Sequence, residues 1–159
     1  WVASFFGDGA MEEGVFWESC NFANLHNLKI AFICEDNHYA IHTPKEVRQA
    51  DHTHVMCPDY LSYTFPGRDV LHIYKIMKEM KREDKPFFMH YEYARMYEHC
   101  GVNEDWDVGY REKPKDWYDP LLLQAEKLSQ RAIHDIETQI NRQIEDSWDK
   151  AKKSPTVMQ

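Results

Sequence analysis

Trp1-Val-Ala-Ser-Phe-Phe6 running into Gly7-Asp8-Gly9, and Leu28-Lys-Ile-Ala-Phe-Ile-Cys34 running into Glu35-Asp36-Asn37, are the two stretches that decide the fold. Short apolar runs closed by turn residues read as buried strands, Val2 to Phe6 and Leu28 to Cys34. Between them, Phe16, Cys20, Ala23 and Asn24 recur at helical spacing. They predict a helix from Glu12 and Glu13 to about His26, with its two acids suiting the amino end. Strand, helix and strand in that order imply a parallel pair joined by a right-handed crossover. Asp8 and Asn37 lie 29 positions apart (37 − 8). A helix of about 14 residues descends about 21 Å, and a strand of about 7 residues climbs back about 23 Å. Both side chains therefore return to one edge of the sheet on neighbouring strands, where open parallel sheets bind ligands. The glycines flanking Asp8 let backbone approach a phosphate, and the helix that follows offers its amino end to an anion. A carboxylate and an amide oxygen at one place suit a hard cation such as magnesium. Taken alone, Gly7-Asp8-Gly9 is also an ordinary tight turn.

Further along, Pro44 to Pro58 is polar, His-rich and aperiodic, which predicts a loop. Asp59 to Phe65 reads as a third strand and Pro66-Gly67-Arg68-Asp69 as a turn. Val70 to Arg82 has Val70, Ile73, Met77 and Met80 on one helical face, and Pro86 to Tyr93 is a fourth strand rich in Phe and Tyr. Arg95 to Trp117 is a second long loop. Ala125, Leu128, Ala132, Ile136, Ile140, Ile144 and Trp148 follow the helical period from Leu121 to about Lys152, as one long helix or two in series. That stripe is open to two readings at once, core packing and a face for a partner. The tail from Ser154 is expected to fray.

Composition bounds the function. A net charge of −8 supplies no basic face for phosphate neutralisation, which argues against nucleic acid. No apolar run approaches the roughly 20 residues of a bilayer span, and no signal-peptide pattern appears, so neither a membrane nor a secretory role is expected. Cys20, Cys34, Cys57 and Cys100 have irregular spacing, which favours free thiols in a reducing, cytoplasmic setting. The opening apolar run reads as an interior strand already under way, and the preceding part of the fold is expected elsewhere in the polypeptide or on another chain.

Gly7-Asp-Gly-Ala-Met-Glu-Glu-Gly-Val-Phe-Trp-Glu-Ser-Cys-Asn-Phe-Ala23 together with Ile33-Cys-Glu-Asp-Asn-His-Tyr-Ala-Ile-His-Thr-Pro44 resembles the thiamine diphosphate motif of 2-oxo-acid dehydrogenase alpha subunits. The resemblance continues in order through Gly67-Arg-Asp, Lys85-Pro-Phe-Phe, Arg95 with His99, Gly109-Tyr-Arg and Asp119-Pro-Leu. It implies an α/β thiamine diphosphate-binding fold, mainly parallel with flanking helices and incomplete in this chain. Residues 1–120 would form the diphosphate- and metal-binding domain, and 121–159 a C-terminal helical segment packed on it. The implied roles are metal ligation by the Asp8 and Asn37 side chains and the Tyr39 carbonyl, with magnesium, calcium or manganese as the ion. Gly9 and Ala10 would face the diphosphate, and Ile41 would lie near the cofactor ring.

His99 matches the family histidine beside the cofactor, which makes it the candidate catalytic residue; imidazole exchanges protons near neutrality. Implied too are a small 2-oxo-acid substrate, decarboxylation with onward transfer of the acyl group, a beta-type subunit completing the site, and a chain or segment supplying the front of the fold. An acyloin-forming carboligase subunit and a catalytically silent structural or regulatory subunit are the alternatives. Asp36 stands where the family has the first Asn of its pair. His42 replaces a small residue. Gly109 occupies the place of a regulatory serine, so that form of phosphorylation control is not expected. His42, His52, His54 and Cys57 match no compact four-ligand zinc pattern, so their segment reads as a loop at the site entrance.

Overall fold

A computed structural model describes residues 1–50, 60–64 and 70–155. The expected turn at 66–69, the histidines His52 and His54, Cys57 and the end of the tail lie outside the described residues. The chain divides into two units, Trp1–Asp119 and Pro120–Gln159.

In the first unit, strands β1 (Val2–Gly7), β2 (Ile30–Asp36), β5 (Tyr60–Thr64) and β6 (Phe87–Glu92) form a parallel sheet in the order β1-β2-β6-β5. Helix α1 (Gly14–Leu25) connects β1 to β2, and helix α2 (Val70–Arg82) precedes β6. Alternation along the central strands sends side chains to two cores. Phe32, Cys34 and Phe88 meet Phe16, Cys20 and Ala23 of α1 in one cluster, while Ala31, Ile33, Phe87 and Met89 meet Ile76 of α2 in the other. Both faces of β2 and β6 are covered, which is why these strands read as near-continuous apolar runs. The first cluster is largely aromatic, with Phe16 centred 5.1 Å from Phe6 and 5.2 Å from Phe88. On α2, Ile73, Met77 and Met80 pack on the second cluster as their spacing predicts; Val70 is exposed and Ile76 takes the buried position.

Three details depart from the sequence reading. A 3₁₀ segment, Asp8–Glu12, intervenes between β1 and α1, and Glu13 caps α1 in an extended conformation. The amino end nearest Asp8 is therefore that of the 3₁₀ turn, not of α1. Strand β1 is not buried: it forms one margin of the described sheet, with Val2 and Phe5 at 61% and 63% exposure. Part of the first loop is ordered structure, a hairpin of β3 (Tyr39–Ala40) with β4 (Thr43–Pro44) followed by a 3₁₀ turn at Lys45–Val47.

The second unit holds two helices in series, α3 (Pro120–Ala125) and α4 (Gln130–Lys153). Ser129 separates them by accepting a 3.2 Å hydrogen bond from the Ala132 amide, as an N-cap does. No residue of α4 is buried, and Ile136, Ile140, Ile144 and Trp148 are exposed.

Candidate oxygen-donor site at the sheet edge

The parallel register ends with Gly7 opposite Glu35, so Asp8 and Asn37 leave neighbouring strands at the same carboxyl edge. Strands in a ladder lie about 4.8 Å apart, which brings the two exits into one crevice. Both side chains are buried, Asp8 to 1% exposure. Beneath this edge, burial raises the Cys34 thiol pKa well above its ordinary value, and the charges of Asp36 and Asp8 push it further. Asp8 also bonds through its carboxylate to Arg48, and its carbonyl accepts a 2.7 Å hydrogen bond from Gln49. Arg48 is shared with Glu12 and reaches the Thr43 carbonyl at 3.3 Å.

Asn37 is held in a fixed pose. Its Oδ1 accepts from the Tyr39 amide at 3.1 Å, an Asx turn that leaves further acceptor capacity on that oxygen. The Tyr93 phenol hydrogen-bonds to the Asn37 side chain, while burial raises that phenol's pKa. The Arg111 guanidinium sits 5.1 Å over the Tyr39 ring and donates to the Asn37 carbonyl at 3.4 Å.

The β3–β4 hairpin closes over the Gly7-Asp8-Gly9 turn. A Cβ placed on Gly9 would meet the Ala40 Cβ at 3.0 Å, so glycine is what permits this approach. Two residues of this stretch have left-handed backbone, His38 at φ 68 and Ile41 at φ 57. A β-branched residue there is a genuine outlier, and it sits at the exposed hairpin tip. Ala10 is exposed beside Gly9.

Asp36 does not point into this crevice as an extra free ligand. It is fully buried, and its carboxylate takes hydrogen bonds from Lys45, from His90 Nε2 at 2.7 Å and from the His38 amide at 2.8 Å. Burial would raise its pKa, but these donors hold it well below the usual carboxylate range. Ligand atoms of Asp36, His38 and Glu92 also gather within 4.8 Å of one another. Within that cluster Asp36 is held by the Lys45 ammonium and the His38 amide, and His38 Nε2 lies 3.9 Å from Glu92.

His99 lies apart and exposed, with Nδ1 3.4 Å from Arg95 Nη1. A guanidinium only donates, so this contact makes Nδ1 the acceptor and leaves the ring proton on Nε2. A network joins this loop to the crevice: Arg95 bonds Asp105 at 2.9 Å, Asp105 bonds Arg111 at 3.0 Å, and Arg111 bonds the Asn37 carbonyl. Burial works against the Asp105 carboxylate, yet hydrogen bonds from Arg95 and Tyr110 keep its pKa below the ordinary value. His42 lies 4.6 Å from the Tyr110 ring and shares no metal cluster among the described residues.

Arg48, Lys45, His90 and Asp105 escaped the sequence reading. Of these only His90 had a local signal: a polar residue inside the buried run Phe87-Phe-Met-His-Tyr91 has to be paired. The others act through contacts up to 40 positions away.

A parallel sheet with a carboxylate, an amide oxygen and a glycine-permitted hairpin at its carboxyl edge defines an α/β protein whose oxygen donors gather where open parallel sheets bind ligands. The profile of the family described as Dehydrogenase E1 component matches residues 1–158, and the chain belongs to that family. It is 27% identical, over 97% of its length, to a 2-oxoisovalerate dehydrogenase subunit alpha of Bacillus subtilis (strain 168), of which it covers 52%. It is 26% identical, over 94% of its length, to a pyruvate dehydrogenase E1 component subunit alpha-1, mitochondrial, of Oryza sativa subsp. japonica, of which it covers 42%. A 2-oxoisovalerate dehydrogenase subunit alpha, mitochondrial, of Bos taurus is 37% identical over 55% of this chain. The chain thus spans about half the length of the first two relatives.

Proposed function

We propose that this chain is the diphosphate- and metal-holding portion of an alpha-type subunit of a thiamine diphosphate-dependent enzyme that decarboxylates a 2-oxo acid and passes on the acyl group. The observation that carries this reading is the shared exit of Asp8 and Asn37 at one sheet edge under the β3–β4 hairpin. The donor set fits a hard cation: the Asp8 carboxylate, the Asn37 amide oxygen and the Tyr39 carbonyl are all oxygens. Magnesium is the first choice of ion, with calcium or manganese as substitutes.

In this reading Asp8, Asn37 and Tyr39 bind the metal, Gly9 and Ala10 let backbone face the diphosphate, and Ile41 sits beside the cofactor ring. Bound thiamine diphosphate supplies the carbon nucleophile and the electron sink, chemistry that no side chain here provides. His99 delivers or receives a proton through Nε2, and Arg95 holds its other nitrogen. The Arg95–Asp105–Arg111 network keeps the loop carrying His99 in register with Asn37.

The active enzyme is a heteromer, in which a beta-type subunit and a preceding alpha-type segment complete sheet and site. Supporting this are the exposed Val2 and Phe5 on β1, Val15, Phe22 and Leu25 on α1, and the apolar stripe of α4. Large apolar patches on a protein surface mark interaction sites. The separate thiols of Cys20, Cys34 and Cys100 suit a reducing compartment such as the cytoplasm.

Calorimetry of the full-length protein with thiamine diphosphate and magnesium tests the reading. Asp8→Ala is expected to abolish the binding heat; undiminished binding by this variant sinks the assignment.

A further inference from the structure

The geometry points to Asp36 as a positioning residue: with Lys45 and His90 it staples the base of the β3–β4 hairpin and so fixes the Asn37–Tyr39 oxygen donors. This rests on the function proposed above, and adds a residue that contributes no ligand atom of its own.

Asp36 ends β2 and is fully buried. Its Oδ1 accepts from the His38 amide at 2.8 Å, and its carbonyl from the Tyr93 amide at 2.8 Å. Its Oδ2 takes the Lys45 ammonium and His90 Nε2, the latter at 2.7 Å. Lys45 is tied twice to the same short segment, because its backbone amide also donates to the His38 carbonyl at 2.8 Å. Residues 36 to 45 are thereby closed into a ring by side chain and backbone together. Inside that ring lie the Asx turn of Asn37, the left-handed His38, and the pairing of Tyr39 with Pro44. His90 fastens the ring from the adjoining strand β6, since its register places it opposite Cys34.

An amide at position 36 cannot do the same work. It has a single acceptor oxygen for the His38 amide, Lys45 and His90, and its nitrogen would face an ammonium with a second donor. The partly buried Lys45 would then lack its counter-ion, and the ring would open where Asn37 and Tyr39 are held. Groups that hold metal ligands in place are worth about ten- to hundredfold in metal affinity.

The test uses the full-length protein and reads the calorimetric Kd for thiamine diphosphate at fixed magnesium, beside urea unfolding without ligand. Asp36→Asn is expected to raise Kd by about tenfold, and Lys45→Met by a similar factor. Lys45→Arg, which keeps the charge opposite Asp36, is expected to lose less affinity than Lys45→Met. The double variant Asp36→Asn/Lys45→Met, which removes both charges together, is expected to bind better than the product of the two single losses.

A Kd unchanged in Asp36→Asn overturns the proposal, and so does a double variant whose losses simply multiply. If Asp36→Asn does not fold, the comparison of Lys45→Arg with Lys45→Met still decides: equal Kd values refute the staple. Failure of the underlying function looks different, because the parent protein itself would then give no binding heat.

Discussion

Replacing Gly9 by Ala tests whether the hairpin is seated on the Gly7-Asp8-Gly9 turn as closely as the structure places it. Gly9 is not in a left-handed conformation, so alanine can adopt its backbone. The effect then comes from one contact: the new Cβ lies 3.0 Å from the Ala40 Cβ, with the Arg48 Nη1 at 4.0 Å. Carbon atoms pack comfortably at about 3.5–4.0 Å, so the hairpin has to retreat by about 0.5–1 Å. Overpacking of this kind costs about 1–3 kcal/mol. The neighbour is a strand of only two residues, which can slide, so the lower end applies. That is a loss of about 1 kcal/mol and a fall in melting temperature of about 2–4 °C.

The displacement matters more than the stability, because Tyr39 and Ile41 move with Ala40. Binding constellations tolerate about 0.5 Å of error, so affinity for thiamine diphosphate with magnesium is expected to fall by about tenfold or more. Scanning calorimetry and titration calorimetry on the same preparation separate the two effects. A Gly9→Ala protein with parental melting temperature and parental Kd would refute the close seating.

Two further outcomes follow from buried groups. Asp105 has a folded-state pKa below its unfolded value, so its stabilisation is complete above about pH 4, the unfolded carboxylate value, and is lost as pH falls through the folded one. Asp105→Asn leaves Arg95 and Arg111 facing an amide; it is expected to cost about 3 kcal/mol at neutral pH and to flatten the acid limb of a urea-midpoint-against-pH curve. An unchanged acid limb would contradict the assigned network. Cys34 is buried with its thiol pKa raised by burial and by Asp36 and Asp8, whereas Cys100 is exposed. Iodoacetamide at pH 8 is expected to label Cys100 in the folded protein and to reach Cys34 only after unfolding, as read by peptide mass spectrometry; early labelling of Cys34 would contradict its burial.

Strands β2 and β6 were readable from sequence because they are apolar runs of the length that a doubly covered parallel sheet requires, and Asp8 and Asn37 were placed at one edge by counting residues around the crossover. Helix α2 was equally legible, since Ile73, Met77 and Met80 obey the helical period. What stayed hidden was governed by partners distant in sequence. Asp36 read only as a departure from the family's paired Asn, because its partners Lys45 and His90 lie 9 and 54 positions away. The β3–β4 hairpin was invisible because a turn at Ile41-His42 breaks the usual rule that such positions take Gly or Asn. Local chemistry predicts a loop there, and the staple at its base overrides it. The apolar stripe of α4 was read correctly as periodic, but periodicity does not say whether this chain or another one covers it.

Ile41 carries one last implication. A side chain branched at Cβ adopts φ 57 only against a torsional penalty of about 1–2 kcal/mol. The hairpin tip is therefore kept under tension by its surroundings and arrives at the binding event already shaped. In the proposed function, little freedom is left there for a cofactor to freeze out, and an incoming ring would meet a preformed shelf. Glycine at this position would ease the tension and return that freedom, trading a preformed surface for one that each binding event must order anew.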